Sequence, residues 1–337
     1  MKTVSTTILT LILLGFAGSL KALPIFENDS PLEIEITGPL GSLVENKEDR
    51  REWPFRLKID ELELDMLLKA RGNSRMRVCD FPPLRFNLEE QDTAGTILEG
   101  LKRPKLVSPC NRGSRSESDV LEEYAAYRIF GLLSDVSYRV RLMHITYTDT
   151  DGRLNDAYRS VYGFLIEPLS ELTSRVNGQK AEVPAISLKQ LDQKQAALMY
   201  VFQYLVANTD WSLVAAVGDD HCCHNVELVR IGADVFTIPY DFDLVGLVNA
   251  RYARPDPSMR IRNVRIRKYR GFCTDQDVLR HAIRMVSARE SEVMRIVAEL
   301  PVLTDKQKSK HVDYLGTFFE KAKDEDKLVR SFEKTCQ

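Results

Sequence analysis

Residues 204–246 read YLVANTDWSLVAAVGDDHCCHNVELVRIGADVFTIPYDFDLVG, and this segment carries the most informative pattern in the chain. Its first residues complete a helical pattern that ends at Asn208. The segments 226–229 (VELV) and 235–238 (VFTI) are strand-like, and a turn containing Gly232 separates them. The order predicts a helix, a loop and then a hairpin of two short strands.

Acidic and amide side chains lie at the boundaries between these predicted elements. Asp210 follows the helix, Asn225 precedes the first strand, and Asp241 and Asp243 follow the second. Phosphoryl transfer from ATP needs such parts: a carboxylate that orients or deprotonates the attacking hydroxyl, and oxygens that hold Mg²⁺ on the phosphates. Asp and Asn are also the commonest turn residues, so each taken alone is more often only a turn residue or a cap.

The residues before this segment are mostly strand-like, with one prominent helix. Period-two alternation, as in Leu32–Thr37 and Phe55–Ile59, predicts half-buried strands. Further strands are expected at 83–88, 138–147 and 160–166. Ser116 or Ser118 is expected to cap a helix that runs to about Leu133.

The second half of the chain is mostly helical in pattern. A long apolar-periodic run, 188–207, follows Ser187, and further helical stretches are expected at 276–300 and 305–333. We therefore expect an α+β fold with a strand-rich N-terminal lobe, residues 23–167, and a helix-rich C-terminal lobe, residues 168–337. The second lobe would carry the catalytic and metal-binding loops.

Composition excludes several classes of protein. The chain has 337 residues, 47 Lys and Arg against 49 Asp and Glu, a formal net charge of −2 and 44% hydrophobic residues. A disordered chain would be poorer in apolar residues and further from charge balance. Binding nucleic acid over the whole surface would need a basic excess that is absent, so we expect no nucleic-acid partner.

The first 22 residues have the pattern of a secretory signal peptide. Lys2 precedes the apolar run 8–17, and small residues follow up to Ala22. The apolar run is shorter than the roughly 18 residues that a spanning helix needs. We therefore expect cleavage after Ala22, no stable membrane insertion afterwards, and a secreted, periplasmic or cell-surface protein.

Six cysteines in an exported chain permit disulfides, and the sequence does not choose among the pairings. They are Cys79, Cys110, Cys222, Cys223, Cys273 and Cys336. We expect at least one bridge, and we expect the adjacent Cys222 and Cys223 each to need a distant partner. A zinc cluster in 221–224 (HCCH) is disfavoured, because zinc ligands are usually spaced by two or more residues.

Five short motifs in a fixed order resemble the CotH-type spore-coat kinases. The motifs are Arg71-Gly-Asn-Ser74, the helix segment 121–130 with strands ending in 162–167 (YGFLIE), Asn208-Thr-Asp210, His224-Asn225 and Tyr240-Asp-Phe-Asp243. The resemblance covers roughly residues 55 to 250. It implies a two-lobed, atypical protein-kinase-like fold and phosphoryl transfer that depends on ATP and Mg²⁺, with Mn²⁺ as an alternative metal.

The resemblance also implies roles for the acidic and amide residues at these element boundaries. Asp210 would be the catalytic base, Asn225 and Asp241 would bind Mg²⁺, and Asp243 is a second candidate for the metal. Four residues would replace a glycine-rich loop over the phosphates, where Gly permits close backbone approach and Arg supplies charge. They are Arg71, Gly72, Asn73 and Ser74.

Three further roles follow from the same resemblance. Glu122 or Glu123, on the helix of the first lobe, would orient the basic residue that contacts the α- and β-phosphates. The family usually carries Lys at that basic position, and this sequence offers Arg85 or Lys105 instead. The two basic residues are not equivalent, since a planar guanidinium and a point ammonium present different donors. Glu167 would lie near the nucleotide base or ribose.

The sequence thus predicts an exported atypical kinase that phosphorylates Ser or Thr of an exported or surface protein. The segment 251–270 holds eight Lys or Arg against one Asp, so it could bind an acidic protein substrate. The alternative is a catalytically inactive kinase-fold protein that recognises a surface partner. A third hypothesis is a metal-dependent hydrolase built on Asp241, Asp243 and His224.

Overall fold

The structure is a computed structural model that describes residues 24–183, 185–214 and 222–337. The predicted signal peptide, and His221 of the HCCH segment, lie outside the described residues. Among the described helices, none is long and apolar enough to cross a membrane.

Seven strands close into a barrel. They are β1 (Leu32–Gly38), β2 (Trp53–Ile59), β3 (Leu62–Ala70), β4 (Leu84–Asn87), β5 (Lys105–Val107), β6 (Val140–Asp149) and β7 (Ser160–Ile166). Their order around the barrel is β1-β2-β3-β4-β5-β7-β6. Parallel pairing of β1 with β6 closes the barrel, and the other neighbours are antiparallel. The strands predicted in this half of the chain are confirmed.

Side-chain alternation explains why these residues form a barrel. In β1 and β2 every second residue is buried, as period-two strands with one solvated face require. The inward residues form a separate hydrophobic core, in which Ile36, Leu57, Leu68 and Phe86 are at most 1% exposed.

Short helices connect several of these strands. They are α1 (Leu40–Glu45), α2 (Ser74–Val78) and α3 (Glu90–Thr93). Of the three, α2 matters most for the site, because it directly follows the Arg-Gly-Asn-Ser loop.

The main helix of the first half, α4 (Ser114–Leu133), begins earlier than predicted. Its cap residue is Gly113 instead of Ser116 or Ser118. Both serines lie inside the helix and use their hydroxyls elsewhere: Ser118 donates to the Ser114 carbonyl, and Ser116 accepts from the Asn111 amide. Most of α4 is buried, and it packs into the core of the second half.

The second half contains a small sheet and six helices among its described residues. The helices are α5 (Leu169–Arg175), α6 (Gln193–Leu205), α7 (Gln276–Ser287), α8 (Glu290–Ala298), α9 (Asp305–Ala322) and α10 (Glu325–Glu333). The strands β8 (Gln179–Lys180), β9 (Val226–Ile231) and β10 (Asp234–Pro239) form a sheet in the order β10-β9-β8. The predicted hairpin is therefore confirmed.

Three helical stretches are shorter or more divided than predicted. The run 188–207 yields a 3₁₀ turn, Leu188–Gln190, before α6, because Asp192 accepts a hydrogen bond from the Gln195 amide and caps the helix there. The stretch 276–300 divides into α7 and α8, and 305–333 divides into α9 and α10, the latter capped by Asp324.

The α+β class is confirmed, but the strands form a closed barrel, a feature that the sequence pattern did not predict. The described residues form two hydrophobic cores, one inside the barrel and one around α4, α6 and the C-terminal helices. The division into lobes at 167 stays a prediction, and α4 packs with the helical core although it was expected in the strand-rich lobe.

Three disulfides pair all six cysteines: Cys79–Cys110, Cys222–Cys223 and Cys273–Cys336. The expectation of at least one bridge is confirmed. The expectation that Cys222 and Cys223 need distant partners is wrong, because the peptide bond between them is cis and their Cα atoms lie 3.1 Å apart. Disulfides are typical of proteins in oxidising compartments, as export would require.

Candidate functional site

The open end of the β9–β10 hairpin brings Asn225 and Asp241 together. Val226 pairs with Pro239 at the last register position, and the Tyr240 amide donates to the Asn225 carbonyl at 3.1 Å. Asn225 and Asp241 both have left-handed backbone, with φ of 52° and 62°. Asn and Asp tolerate this conformation better than most residues, so their presence suits the sharp turns at the hairpin mouth.

Asp210 is fixed beside Asn225 by hydrogen bonds. The Asn225 side-chain amide donates to the Asp210 carbonyl at 2.8 Å and to its Oδ2 at 3.0 Å. The His224 Nε2 lies 3.1 Å from Asp210 Oδ1. This hydrogen bond to Asp210 raises the pKa of His224. Since both its oxygens have partners, the Asp210 carboxylate is held in one orientation, yet 38% of the side chain remains exposed.

Asp241 lies close to several charged side chains. It is exposed to solvent, and its backbone amide donates to the Tyr127 hydroxyl at 2.9 Å. Partial loss of hydration, and then the Asp243 carboxylate, raise the pKa of Asp241, whereas Arg75 and Arg71 oppose the rise. A carboxylate of this kind is suited to bind a cation, because a cation would relieve the repulsion.

Arg75 joins Glu123 to Asp243. It is buried in α2, its Nη2 donates to Glu123 Oε2 at 2.5 Å, and its Nε donates to Asp243 Oδ2 at 2.9 Å. The Tyr252 hydroxyl donates to the same Asp243 oxygen at 3.0 Å. Burial raises the pKa of Glu123 to about 7, although Arg75 opposes the rise. Arg75 thereby ties the loop after β3, helix α4 and the segment after β10 into one cluster.

Two half-buried cations, Arg71 and Lys105, lie near Asp241, whose charge acts on both of them. Burial lowers the pKa of Lys105 to about 8, with a contribution from Arg71, and burial lowers the pKa of Arg71 to about 10. The Lys105 ammonium lies 5.5 Å from the Tyr240 ring centroid. Across residues 24–183, 185–214 and 222–337, neither cation has a carboxylate within ion-pair distance. They are therefore available to an anionic ligand.

Arg85 pairs with Lys105 in the sheet, because β4 and β5 place the two residues opposite each other. The buried Arg85 Nε has no hydrogen-bond partner in the described part of the chain. Such an orphaned donor next to the Lys105 cation fits an oxyanion ligand.

The Arg-Gly-Asn-Ser loop lies at the start of α2. Gly72 has a φ of 93°, a positive value that glycine adopts readily because it has no Cβ. A Cβ at Gly72 would meet no atom within 4 Å, so the loop is not crowded there. Arg50 donates to the Gly72 carbonyl at 2.9 Å and to Asn73 Oδ1 at 3.1 Å, which ties down this loop ahead of Ser74.

Two predicted residues are engaged elsewhere. Glu122 lies 2.8 Å from His311 Nε2 and also contacts Arg115, so its carboxylate does not join the cluster of Arg75. Glu167 forms an ion pair with Arg175 at 2.8 Å and accepts a hydrogen bond from the Arg139 amide.

Sequence reasoning missed Arg75 and the contact between His224 and Asp210. Arg75 directly follows the Arg-Gly-Asn-Ser motif, but its partners are 48 and 168 positions away, so only the tertiary structure reveals them. His224 is adjacent to Asn225 in the sequence, but no local pattern predicts that its imidazole contacts Asp210.

No protein-family model and no curated protein matches this chain. Among solved structures, the chain is similar to the proinflammatory kinase CtkA of Helicobacter pylori, with a TM-score of 0.39 and 12% sequence identity. The match covers 79% of this chain and 93% of that one. The resemblance to CotH-type kinases stays a prediction.

Proposed function

We propose that the protein is an atypical protein kinase that transfers the γ-phosphate of ATP to Ser or Thr of an exported or surface protein. The observation that carries the proposal is the convergence of Asp210, Asn225 and Asp241 at one hairpin mouth, beside the cations Arg71 and Lys105. Phosphoryl transfer is mainly positioning and charge neutralisation, and these residues supply the carboxylate, the metal-binding oxygens and the cations for it.

Asn225 and Asp241 fit a Mg²⁺ ion, or Mn²⁺ as an alternative. Both offer hard oxygens, and the Asn225 amide nitrogen points its hydrogen bonds at Asp210, so the amide oxygen accepts none from a described residue. No group of three His, Cys, Asp or Glu side chains suited to a metal occurs in the described part of the chain. Mg²⁺ usually takes one or two protein carboxylates and completes its shell with phosphate oxygens and water, so two ligands suffice. Bound there, the ion neutralises charge on the transferring phosphate.

Asp243 is the weaker of the two candidate metal ligands. One of its oxygens already accepts hydrogen bonds from Arg75 and Tyr252. We assign it to positioning: by holding Arg75 against Glu123, it fixes α2 and the phosphate-facing loop relative to α4.

Arg71 and Lys105 are assigned to the nucleotide phosphates, with Arg85 next to them. Arg71 and Lys105 each carry charge near Asp241 without an ion-pair partner among the described residues, and the orphaned Arg85 Nε adds a donor. Glu123 orients Arg75 in this arrangement, so Arg75 takes the ion-pair position for which the resemblance implies a strand Lys, while the phosphate contacts are made by Arg71 and Lys105. Gly72, Asn73 and Ser74 would cover the phosphates. Glu167 would position its ion-pair partner Arg175 near the nucleotide base or ribose.

Asp210 is assigned to orient the acceptor hydroxyl and accept its proton. His224 and Asn225 hold its two oxygens, and the exposed part of the side chain leaves access for a peptide. The basic segment 251–270 follows the metal-binding residues in sequence, so we propose that the substrate is acidic.

The test is transfer of label from γ-labelled ATP by the mature chain, residues 23–337, to itself and to proteins exported from the same source. Asp210→Asn should lower the rate by about 10²-fold or more, the usual contribution of a general base. Asp241→Ala should abolish labelling. Asp234→Asn is the matched control, because Asp234 is an exposed carboxylate at the other end of the same hairpin. Labelling that survives in Asp241→Ala at the control's rate contradicts the proposal.

The second candidate is an inactive kinase-fold binding protein. The observation that favours it is the Arg75–Glu123 pair, in which Arg replaces Lys and is shared with Asp243. Nucleotide at 100 times its dissociation constant should raise the free energy of unfolding by about 2.7 kcal/mol. Absence of any thermal shift with ATP and Mg²⁺ would favour this second candidate.

A further inference from the structure

A groove of about 620 Å³ shares no residue with the candidate active site. It lies between the start of α4, the segment after β10 and helix α9, and its volume is in the range of ligand pockets. Three of its lining residues are basic, Arg115, Arg265 and Lys310, and His311 adds an imidazole. Among the described residues that line this groove, Asp313 is the one acidic residue.

The basic side chains of the groove are incompletely neutralised. Arg115 is occupied, because it pairs with Asp119 at 2.8 Å and donates to the Val248 carbonyl. Arg265 and Lys310, in contrast, have no carboxylate within ion-pair distance among the described residues. Uncompensated charge of this kind marks a surface where an anion is favoured.

Two arginines lie against one tyrosine ring at the edge of the groove. The guanidinium carbons of Arg265 and Arg267 lie 4.1 and 4.2 Å from the centroid of the Tyr314 ring. Arg267 donates to Thr317 Oγ1 and to the Tyr314 carbonyl, so its position is fixed by neutral acceptors. Two like charges are thus held near one ring, and an anion in the groove would offset part of their repulsion at Arg265, the one of the two that lines it.

His311 supplies an unpartnered atom at the same groove. The residue is 5% exposed, and its Nε2 lies 2.8 Å from Glu122 Oε1. Its Nδ1 is buried and has no hydrogen-bond partner in the described part of the chain. A buried polar atom without a partner is uncommon in folded proteins and costly to the fold.

We propose that this groove binds a phosphorylated side chain of a protein, recognised by Arg265 and Lys310 with His311 behind them. Two uncompensated cations in one groove suit the dianionic, multi-oxygen phosphate better than a single carboxylate. The groove adjoins the basic segment 251–270, which would contact acidic residues flanking the phosphate. Arg265 belongs both to the lining of the groove and to this basic segment. This proposal does not depend on the proposed kinase activity, since binding needs neither ATP nor the hairpin mouth.

The test is fluorescence anisotropy with labelled acidic peptides that differ only in carrying phosphoserine, serine or glutamate. We expect the phosphoserine peptide to bind the mature chain at least tenfold more tightly than the other two, and inorganic phosphate to compete. Arg265→Gln and Lys310→Gln should each weaken binding at least tenfold. Lys306→Gln, an exposed residue of the same helix that does not line the groove, should leave binding unchanged.

Three results would overturn the proposal. They are equal binding of the serine and phosphoserine peptides, an unchanged affinity in both groove variants, and tighter binding to vesicles of phosphatidic acid than to the phosphopeptide. Circular dichroism of the variants checks that they fold. The substituted side chains are exposed or half-buried, so we expect them to retain the fold.

Discussion

The cluster of Arg75, Glu123 and Asp243 makes the stability of the protein depend on pH in a predictable direction. Glu123 is 1% exposed, and burial raises the pKa of its carboxyl to about 7, against an ordinary value of 4.5. The folded state therefore holds a proton that the unfolded state has released between pH 4.5 and 7. Stability falls as pH rises through this window, and the loss is complete above the folded pKa.

The size of the effect follows from the two pKa values. Between pH 5 and 8, a shift from 4.5 to about 7 changes the free energy of unfolding by roughly 2 to 3 kcal/mol. Glu123→Gln removes the titrating group and keeps an oxygen that accepts from Arg75. The free energy of unfolding of Glu123→Gln, relative to that of the wild type, should therefore rise by that amount between pH 5 and pH 8.

Urea denaturation of both proteins at pH 5, 6, 7 and 8, with the disulfides intact, measures this difference. Glu63→Gln is the control variant, because Glu63 is an exposed residue of β3. A difference between Glu123→Gln and the wild type that stays constant from pH 5 to 8 would refute the interpretation of this cluster. Arg75→Met gives a second check: it leaves two buried carboxylates without their cation, which should cost about 3 to 5 kcal/mol at pH 8.

Three more predictions concern the disulfides, the nucleotide and the barrel. Replacing Cys79 and Cys110 by Ala opens a link across 31 positions and should lower the free energy of unfolding by about 2 to 4 kcal/mol in urea titrations, whereas an unchanged midpoint would contradict it. ATP affinity measured by calorimetry should fall as pH rises through 8, where Lys105 loses its charge, and Lys105→Arg should flatten that profile; a decline that persists in the Arg variant would rule Lys105 out as its source. Gly163→Ala would bring a Cβ to 2.7 Å from the Val107 carbonyl oxygen and should destabilise the barrel by about 1 to 3 kcal/mol, seen as a lower thermal midpoint, and an unaltered midpoint would argue against this close packing.

Local patterns predicted the elements of the fold well. Alternation in β1 and β2 marks residues that face a core on one side only, and the hairpin β9–β10 follows from two strand-like runs around Gly232. The ends of long helical stretches were less predictable, because a side-chain cap such as that of Asp192 or Asp324 competes with continued helix. Barrel closure was not predictable, since the pairing of β1 with β6 joins residues more than a hundred positions apart.

The candidate site was predictable in part, for the same physical reason. Asp210, Asn225 and Asp241 lie within one short segment whose order constrains their geometry, so their proximity could be expected. Arg75 contacts Asp243 across 168 positions, and no local periodicity reports such a pair. The bond between Cys222 and Cys223 was not predicted, because the Cα atoms of adjacent residues lie closer together than those of most disulfides.

Binding of Mn²⁺ in the presence of ATP tests most directly whether Asn225 and Asp241 form a metal–nucleotide site. Electron paramagnetic resonance reports free Mn²⁺. ATP alone lowers this signal by chelation, and the mature wild-type chain should lower the signal of the Mn²⁺–ATP mixture further, by more than it lowers the signal of Mn²⁺ without ATP. Asp241→Ala should restore the signal of the Mn²⁺–ATP mixture, and Asp234→Asn should behave as the wild type does. Equal metal binding by Asp241→Ala and the wild type would contradict the site.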